Sequence, residues 1–168
     1  MHRWTKRQEA AARMTGGDTL PGGRAAEIAR GVVRLFAELD IAAVTELSLT
    51  TGRRVDVIGI ARDGRVHVVE IKSSRTDFLV DRKWPEYIDF ADFFYFAVAT
   101  AFPRELLPET EGLILADRFG GEIVRAARHR PLAAARRKAL TLRFARAAAG
   151  RLMLPLIGAE APLAVQLE

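Results

Sequence analysis

The sequence predicts one α/β domain, a mixed central sheet flanked by helices. Three observations carry that prediction. Residues 55–60 and 66–71 are β-branched runs on either side of Asp63-Gly64, the pattern of a β-hairpin. Residues 24–39 place Ile28, Val32, Leu35, Phe36 and Leu39 on one helical stripe. Residues 93–99, FFYFAVA, are continuously apolar, as strands covered on both faces are.

The elements follow in order. Residues 1–23 hold breakers at Gly16-Gly17-Asp18 and Pro21-Gly22-Gly23 and are expected to form a flexible arm. The helix over 24–39 leads into a first strand over 41–50, closed by Thr51-Gly52. The hairpin supplies the second and third strands. Residues 73–92 turn helical, with Thr76 as a cap, Asp77 in the first turn and a break near Trp84, where Pro85 starts a new turn. Phe78, Trp84, Tyr87 and Phe90 read mostly as core. After strand 93–99 come a short helical turn within 103–108, a strand over 112–116 and a hairpin partner over 122–127. Residues 132–149 predict an Ala-rich helix with Leu140, Phe144 and Ala147 on one side. The folded domain is expected over 24–150, with 151–168 as an apolar tail.

The chain has 168 residues, of which 49% are hydrophobic, enough for a core of its own. It has no cysteine, which excludes disulfides and thiolate metal sites. His2, His67 and His129 are too scattered to suggest a cluster, and His67 is expected to pack. No apolar run is long enough to span a membrane and no signal-peptide core opens the chain, so a cytoplasmic protein is expected. The net charge of +5 permits a polyanionic partner. Of the 26 basic residues four are lysines, Lys6, Lys72, Lys83 and Lys138. Lys72 therefore stands out as a compact amine in a chain that otherwise uses arginine.

Three polar residues interrupt the apolar hairpin: Asp56, Glu70 and Lys72. Charges buried in strands are costly unless they pair or hold a metal. Glu70 and Lys72 are two apart and share a face. A two-residue turn would set Asp56 opposite Ile71, with its side chain on the wrong face. A three-residue loop, Arg62-Asp63-Gly64, sets it opposite Glu70 and needs Gly64 in the left-handed region, and a bulge in either strand would do the same. In that register the two carboxylates and the lysine share one patch, which can hold a divalent metal and orient a water; hard oxygen ligands suit Mg2+ or Mn2+. The alternative is a plain charge pair on an edge strand. Glu46 is placed near Asp56 across the sheet, or against Arg53 or Arg54.

Basic residues dominate the C-terminal part, with no acid between residues 123 and 159. Arg136, Arg137 and Arg143 on the predicted helix read as phosphate contacts, and Lys83 and Tyr87 as further ones. A solvated charged face is the alternative.

The triad Asp56, then Glu70-Ile71-Lys72, resembles the catalytic motif of the PD-(D/E)XK nuclease superfamily. The longer run TELSLTTGRRVDVIGI…VHVVEIKSS…DF…DRKWPEYIDFADFFYFAVA resembles the MmcB-type DNA repair family, over about residues 24–130. The matching positions are Glu46, Asp56, Glu70, Lys72, Ser73, Asp77, Lys83, Trp84, Tyr87 and Asp92. The resemblance implies a restriction-endonuclease-like core and a metal-dependent DNA repair nuclease, with an endonuclease favoured. It implies Asp56, Glu70 and Lys72 as catalytic residues, Asp56 and Glu70 with the carbonyl of Ile71 as metal ligands, and DNA, with other repair proteins, as partners. It also allows Glu27, on the first helix, to face the metal; a helix-start glutamate favoured by the dipole is the equal alternative. A second metal would draw on Glu27 or Glu46. The rival functions are a catalytically idle DNA-binding module that recruits repair factors, and a protein–protein scaffold.

Overall fold

The computed structural model describes residues 23–157. The expected N-terminal arm, apart from Gly23, and residues 158–168 of the expected tail lie outside the described residues. Helix α1 (Gly23–Glu38) precedes strands β1 (Ile41–Ser48), β2 (Arg54–Ala61) and β3 (Val66–Lys72). Two short helices, α2 (Arg75–Val80) and α3 (Pro85–Ile88), lead to β4 (Phe93–Val98). A single 3-10 turn (Arg104–Leu106), β5 (Gly112–Asp117), β6 (Gly120–Arg125) and α4 (Ala134–Ile157) complete the chain. The six strands form one sheet in sequence order. β3–β4 and β4–β5 are parallel; the other pairs are antiparallel. The sheet is therefore mixed, and helices cover both faces.

Two cores result. On one face α1 buries Ile28, Val32, Leu35 and Phe36 against Val57, Val69, Ile71 and Ala97 of the central strands. On the other, Val55, Ile58, Val68, Phe94 and Phe96 meet Tyr87, Phe102 and Leu140. Each such side chain contributes roughly 1.5–3 kcal/mol through burial. β4 is apolar throughout because both of its faces are covered. Gly31 fixes the height of α1: a Cβ there would lie 2.1 Å from the carbonyl oxygen of Asp117. Only glycine lets the helix approach the β5–β6 turn so closely.

Several local expectations are corrected. Leu39 is 48% exposed, because α1 ends at Glu38 and Asp40 turns the chain with φ 59°. Ser74, not Thr76, caps α2: its Oγ accepts from the Asp77 amide at 3.1 Å. The cap lies two residues earlier because Ser74 is extended and already outside the helix. α4 runs through Gly150 to Ile157, beyond the expected end at residue 149. A helical glycine costs about 1 kcal/mol relative to alanine, which good helix formers on both sides absorb. Among the described residues, no helix is long and apolar enough to cross a membrane.

Candidate active site

The hairpin between β2 and β3 has the three-residue loop. Gly64 sits at φ 79°, Gly64 N donates to the Ala61 carbonyl at 2.9 Å, and Ala61 N donates to the Arg65 carbonyl at 3.0 Å. The ladder pairs Ile60 with Val66 and runs to Val57 with Val69. One step further Asp56 leaves the ladder. Its carboxylate Oδ2 accepts from the Ile71 amide at 2.7 Å, so a side chain stands in for a strand carbonyl.

The same level is irregular in β1. Thr45 pairs with Val57 and Leu47 with Val55, but Glu46 and Asp56 between them are skipped. Glu46 is left-handed, with φ 51°. The side-chain alternation shifts there: Val57 packs under α1, while Val55, two residues back, packs in the opposite core. A non-glycine residue in this conformation costs on the order of 1 kcal/mol or more and is found where the surroundings enforce it.

The irregularity opens a cavity of about 850 Å³ between the sheet and α1. Asp56, Glu70, Ile71 and Lys72 line it, with Thr45, Glu46 and Asp77 at its side. Ala25, Ala26, Ala29 and Val33 make the helix wall, and Arg30 and Arg34 complete it. Alanine at three wall positions leaves the space that a larger stripe would fill.

The charges in the cavity are tightly arranged. Lys72 is 2% exposed and its Nζ donates to Glu70 Oε1 at 3.1 Å and to Asp81 Oδ2 at 2.5 Å. Burial pushes the ammonium down, but the two carboxylates outweigh it and hold its pKa above the ordinary value. Burial also pushes Asp81 up, yet Lys72 and the Lys83 amide bring it below the usual aspartate range. Glu70 is pushed up from 4.5 to about 8, by burial first and then by the charge of Asp56. Its second oxygen, Oε2, is buried and has no hydrogen-bond partner among the described residues. Asp56 is raised by burial, against the lowering effect of the Ile71 amide. Asp77 is turned to the chain, accepting from Ser73 N at 2.9 Å and Ser73 Oγ at 3.2 Å.

The sequence-predicted residues divide. Asp56, Glu70, Ile71, Lys72 and Glu46 line one cavity. Glu46 pairs with Arg54 at 3.5 Å, while Arg53 pairs with Glu86. Glu27 is not among the lining residues, although Ala26 and Arg30 beside it are: helical rotation turns it from the cavity. Tyr87 is 6% exposed and belongs to the core, so it offers no surface to a phosphate; Lys83 is exposed.

Arg137 is also corrected. Its guanidinium grips the fully buried Asp92 at 2.5 and 2.8 Å and donates to the Gly64 carbonyl at 2.8 Å. Burial alone would raise Asp92, but Arg137 and the amides of Val66 and Leu132 outweigh it, and the carboxyl sits at about 2. Arg136 donates to the Asp89 carbonyl at 2.6 Å and lies over Phe90; Arg143 reaches the Ser48 carbonyl at 3.3 Å. Each has a partner within the domain. Sequence reasoning missed Asp81, Arg30 and Arg34. Asp81 lies just past a short helix that turns it back toward Lys72, a placement no spacing rule gives. Arg30 and Arg34, four apart on an amphipathic helix, read as its solvated side.

A hard divalent cation fits this donor set. Glu70 Oε2 is a buried carboxyl oxygen without a partner among the described residues, Asp56 stands beside it, and Ile71 lines the same cavity. Among the described residues no group of three or more His, Cys, Asp or Glu could hold a metal by itself. Magnesium is commonly bound by one or two carboxylates while keeping several waters, which two carboxylates satisfy.

The model of the MmcB-like family, described as DNA repair protein MmcB-like, matches residues 13–158. No match was found among curated proteins. A solved structure of a protein of unknown function from Silicibacter pomeroyi is similar, at 43% identity and a TM-score of 0.78. The likeness covers 80% of this chain and 92% of that one. With most of its length matched by that model, the chain belongs to the MmcB-like family.

Proposed function

We propose that this chain is a DNA repair nuclease with a PD-(D/E)XK core, hydrolysing phosphodiester bonds within DNA with the help of Mg2+ or Mn2+. The family's description supports the repair setting. The mixed sheet, an antiparallel hairpin followed by parallel β4 and β5, supports the core assignment. The observation that carries the reading is the convergence of Asp56, Glu70 and Lys72 on one cavity, with Glu70 Oε2 unpartnered among the described residues.

Asp56 and Glu70, with the Ile71 carbonyl, would hold the cation. When bound, such an ion lowers the pKa of water and neutralises phosphate oxygens. Lys72 stays protonated between Glu70 and Asp81, so it stabilises developing negative charge and orients the nucleophile rather than acting as a base. Asp81 keeps the ammonium in place.

The test is a panel of DNA structures incubated with Mg2+ or Mn2+, beside calorimetry with the metal alone. Wild type should cut at least one structure. Asp56→Asn should fold, because an amide oxygen can still accept from Ile71, but lose metal affinity and cleavage. A wild-type protein that binds no divalent metal and cuts nothing would replace the enzyme with the DNA-binding module.

A further inference from the structure

We infer that Arg30 and Arg34 of α1 bind successive backbone phosphates of a single DNA strand laid along the cavity. The inference rests on the proposed nuclease reading only for the position of the reacting phosphate, over Asp56 and Glu70. Both arginines are exposed and both line the cavity. Neither has an ion pair or hydrogen bond with a described residue, unlike Arg136, Arg137 and Arg143 on α4. They are four apart, so their Cβ atoms lie about 5–6 Å from each other on one helix face, a step similar to that between neighbouring phosphates of one strand.

The opposite side of the cavity is acidic, with Asp56 and Glu70 at the sheet. A polyanion entering there finds its cations on the facing wall, where Arg30 and Arg34 are the cationic side chains of the helix. Beside them the wall is Ala26, Ala29 and Val33, small and apolar, which suits sugar or base surface and not a second phosphate row. A cavity of about 850 Å³ closed on two sides by helix and sheet is of the size that encloses small ligands. One strand fits that description; an intact duplex, with phosphates on both sides, does not. The expected ligand is a single-stranded segment such as an end, a flap or a gap.

The experiment is fluorescence anisotropy with a labelled single-stranded oligonucleotide and the matching duplex, in chelator, across a salt series. Full-length wild type should prefer the single strand. Arg30→Ala and Arg34→Ala should each weaken single-strand binding about tenfold and flatten the plot of log affinity against log salt by about 0.7 for each phosphate no longer neutralised. Arg30→Lys and Arg34→Lys, which keep the charge and the helix, should retain most of the affinity. Arg104→Ala, away from the cavity, should change nothing. Unchanged slope in both alanine variants, or equal loss in the lysine and alanine variants, would overturn the inference, as would tighter binding to the duplex. Arginine-dependent single-strand binding by a wild type that cleaves nothing would sink the nuclease reading and leave this one standing.

Discussion

Glu70→Gln should make the protein more stable at alkaline pH, and the size follows from the site. The Glu70 carboxyl sits at about 8 in the folded protein against an ordinary 4.5, because it is buried beside Asp56. Between those values the folded state holds a proton that the unfolded state has released. The slope of unfolding free energy with pH is proportional to protons bound unfolded minus folded, so it is negative there. The contribution of Glu70 is thus most favourable below pH 4.5 and declines as pH rises to about 8. At about 1.36 kcal/mol per unit, the full window gives an upper bound on the order of 5 kcal/mol. A loss of about 2–3 kcal/mol is expected once Lys72 and Asp56 readjust. Gln removes the charge and keeps the shape, and Lys72 retains Asp81, so no buried ammonium is left alone. His67, lowered to about 4 by burial, acts in the opposite sense over about pH 4 to 6.5, but it cancels in the difference between the two proteins.

Urea unfolding at half-unit steps from about pH 5 to 9, in chelator, measures that difference directly. The variant should match wild type near pH 5 and exceed it by about 2–3 kcal/mol at about pH 9. Adding Mg2+ at about 100 times its dissociation constant should stabilise wild type by about 2.7 kcal/mol and leave the variant unmoved. A difference constant to within about 0.5 kcal/mol across the range would refute the argument that burial beside Asp56 raises the Glu70 carboxyl.

Two further perturbations separate architecture from site. Arg137→Ala leaves Asp92 buried without its bidentate partner, so unfolding stability should drop by about 3–5 kcal/mol while the salt slope of DNA binding stays as in wild type; a reduced slope with unchanged stability would return Arg137 to the DNA surface. Gly31→Ala places a methyl 2.1 and 2.4 Å from the carbonyl oxygens of Asp117 and Gly120, so α1 must lift; thermal unfolding should show a loss of about 1–3 kcal/mol, and a neutral result would mean that α1 is not held at that height.

The hairpin was legible because its register has two independent readings in the sequence. The β-branched runs give the strands, and of the two ways to put Asp56 level with Glu70, a three-residue loop with Gly64 or a bulge, the protein uses the loop. The strands β4 and β5 were legible as apolar runs because both faces of the sheet are covered. Thr76 was the wrong cap because Ser74 and Thr76 have the same chemistry two residues apart, and the outcome depends on where the chain leaves the sheet. The shift of alternation at Glu46 and Asp56 was hidden for a similar reason: period-two reasoning assumes a regular strand on both sides of the break.

The arginines of α4 show why a run of like charge is weak evidence for a binding surface. Counting residues gives formal charge, whereas a phosphate meets only the guanidinium groups left over after folding. Asp92 lies 45 positions before Arg137 and joins it only in three dimensions. Arg30 and Arg34, by contrast, hide in the polar half of a helix whose apolar half explains it fully. What marks their cavity is the concentration of local costs around it: Glu46 in a left-handed conformation, Glu70 with a buried oxygen unpartnered among the described residues, and Lys72 at 2% exposure. A sheet that needed only stability would place apolar residues at these positions and close the notch. Departures from local rules that gather at one place, and are held there by otherwise regular strands, are the mark of a site shaped by its chemistry.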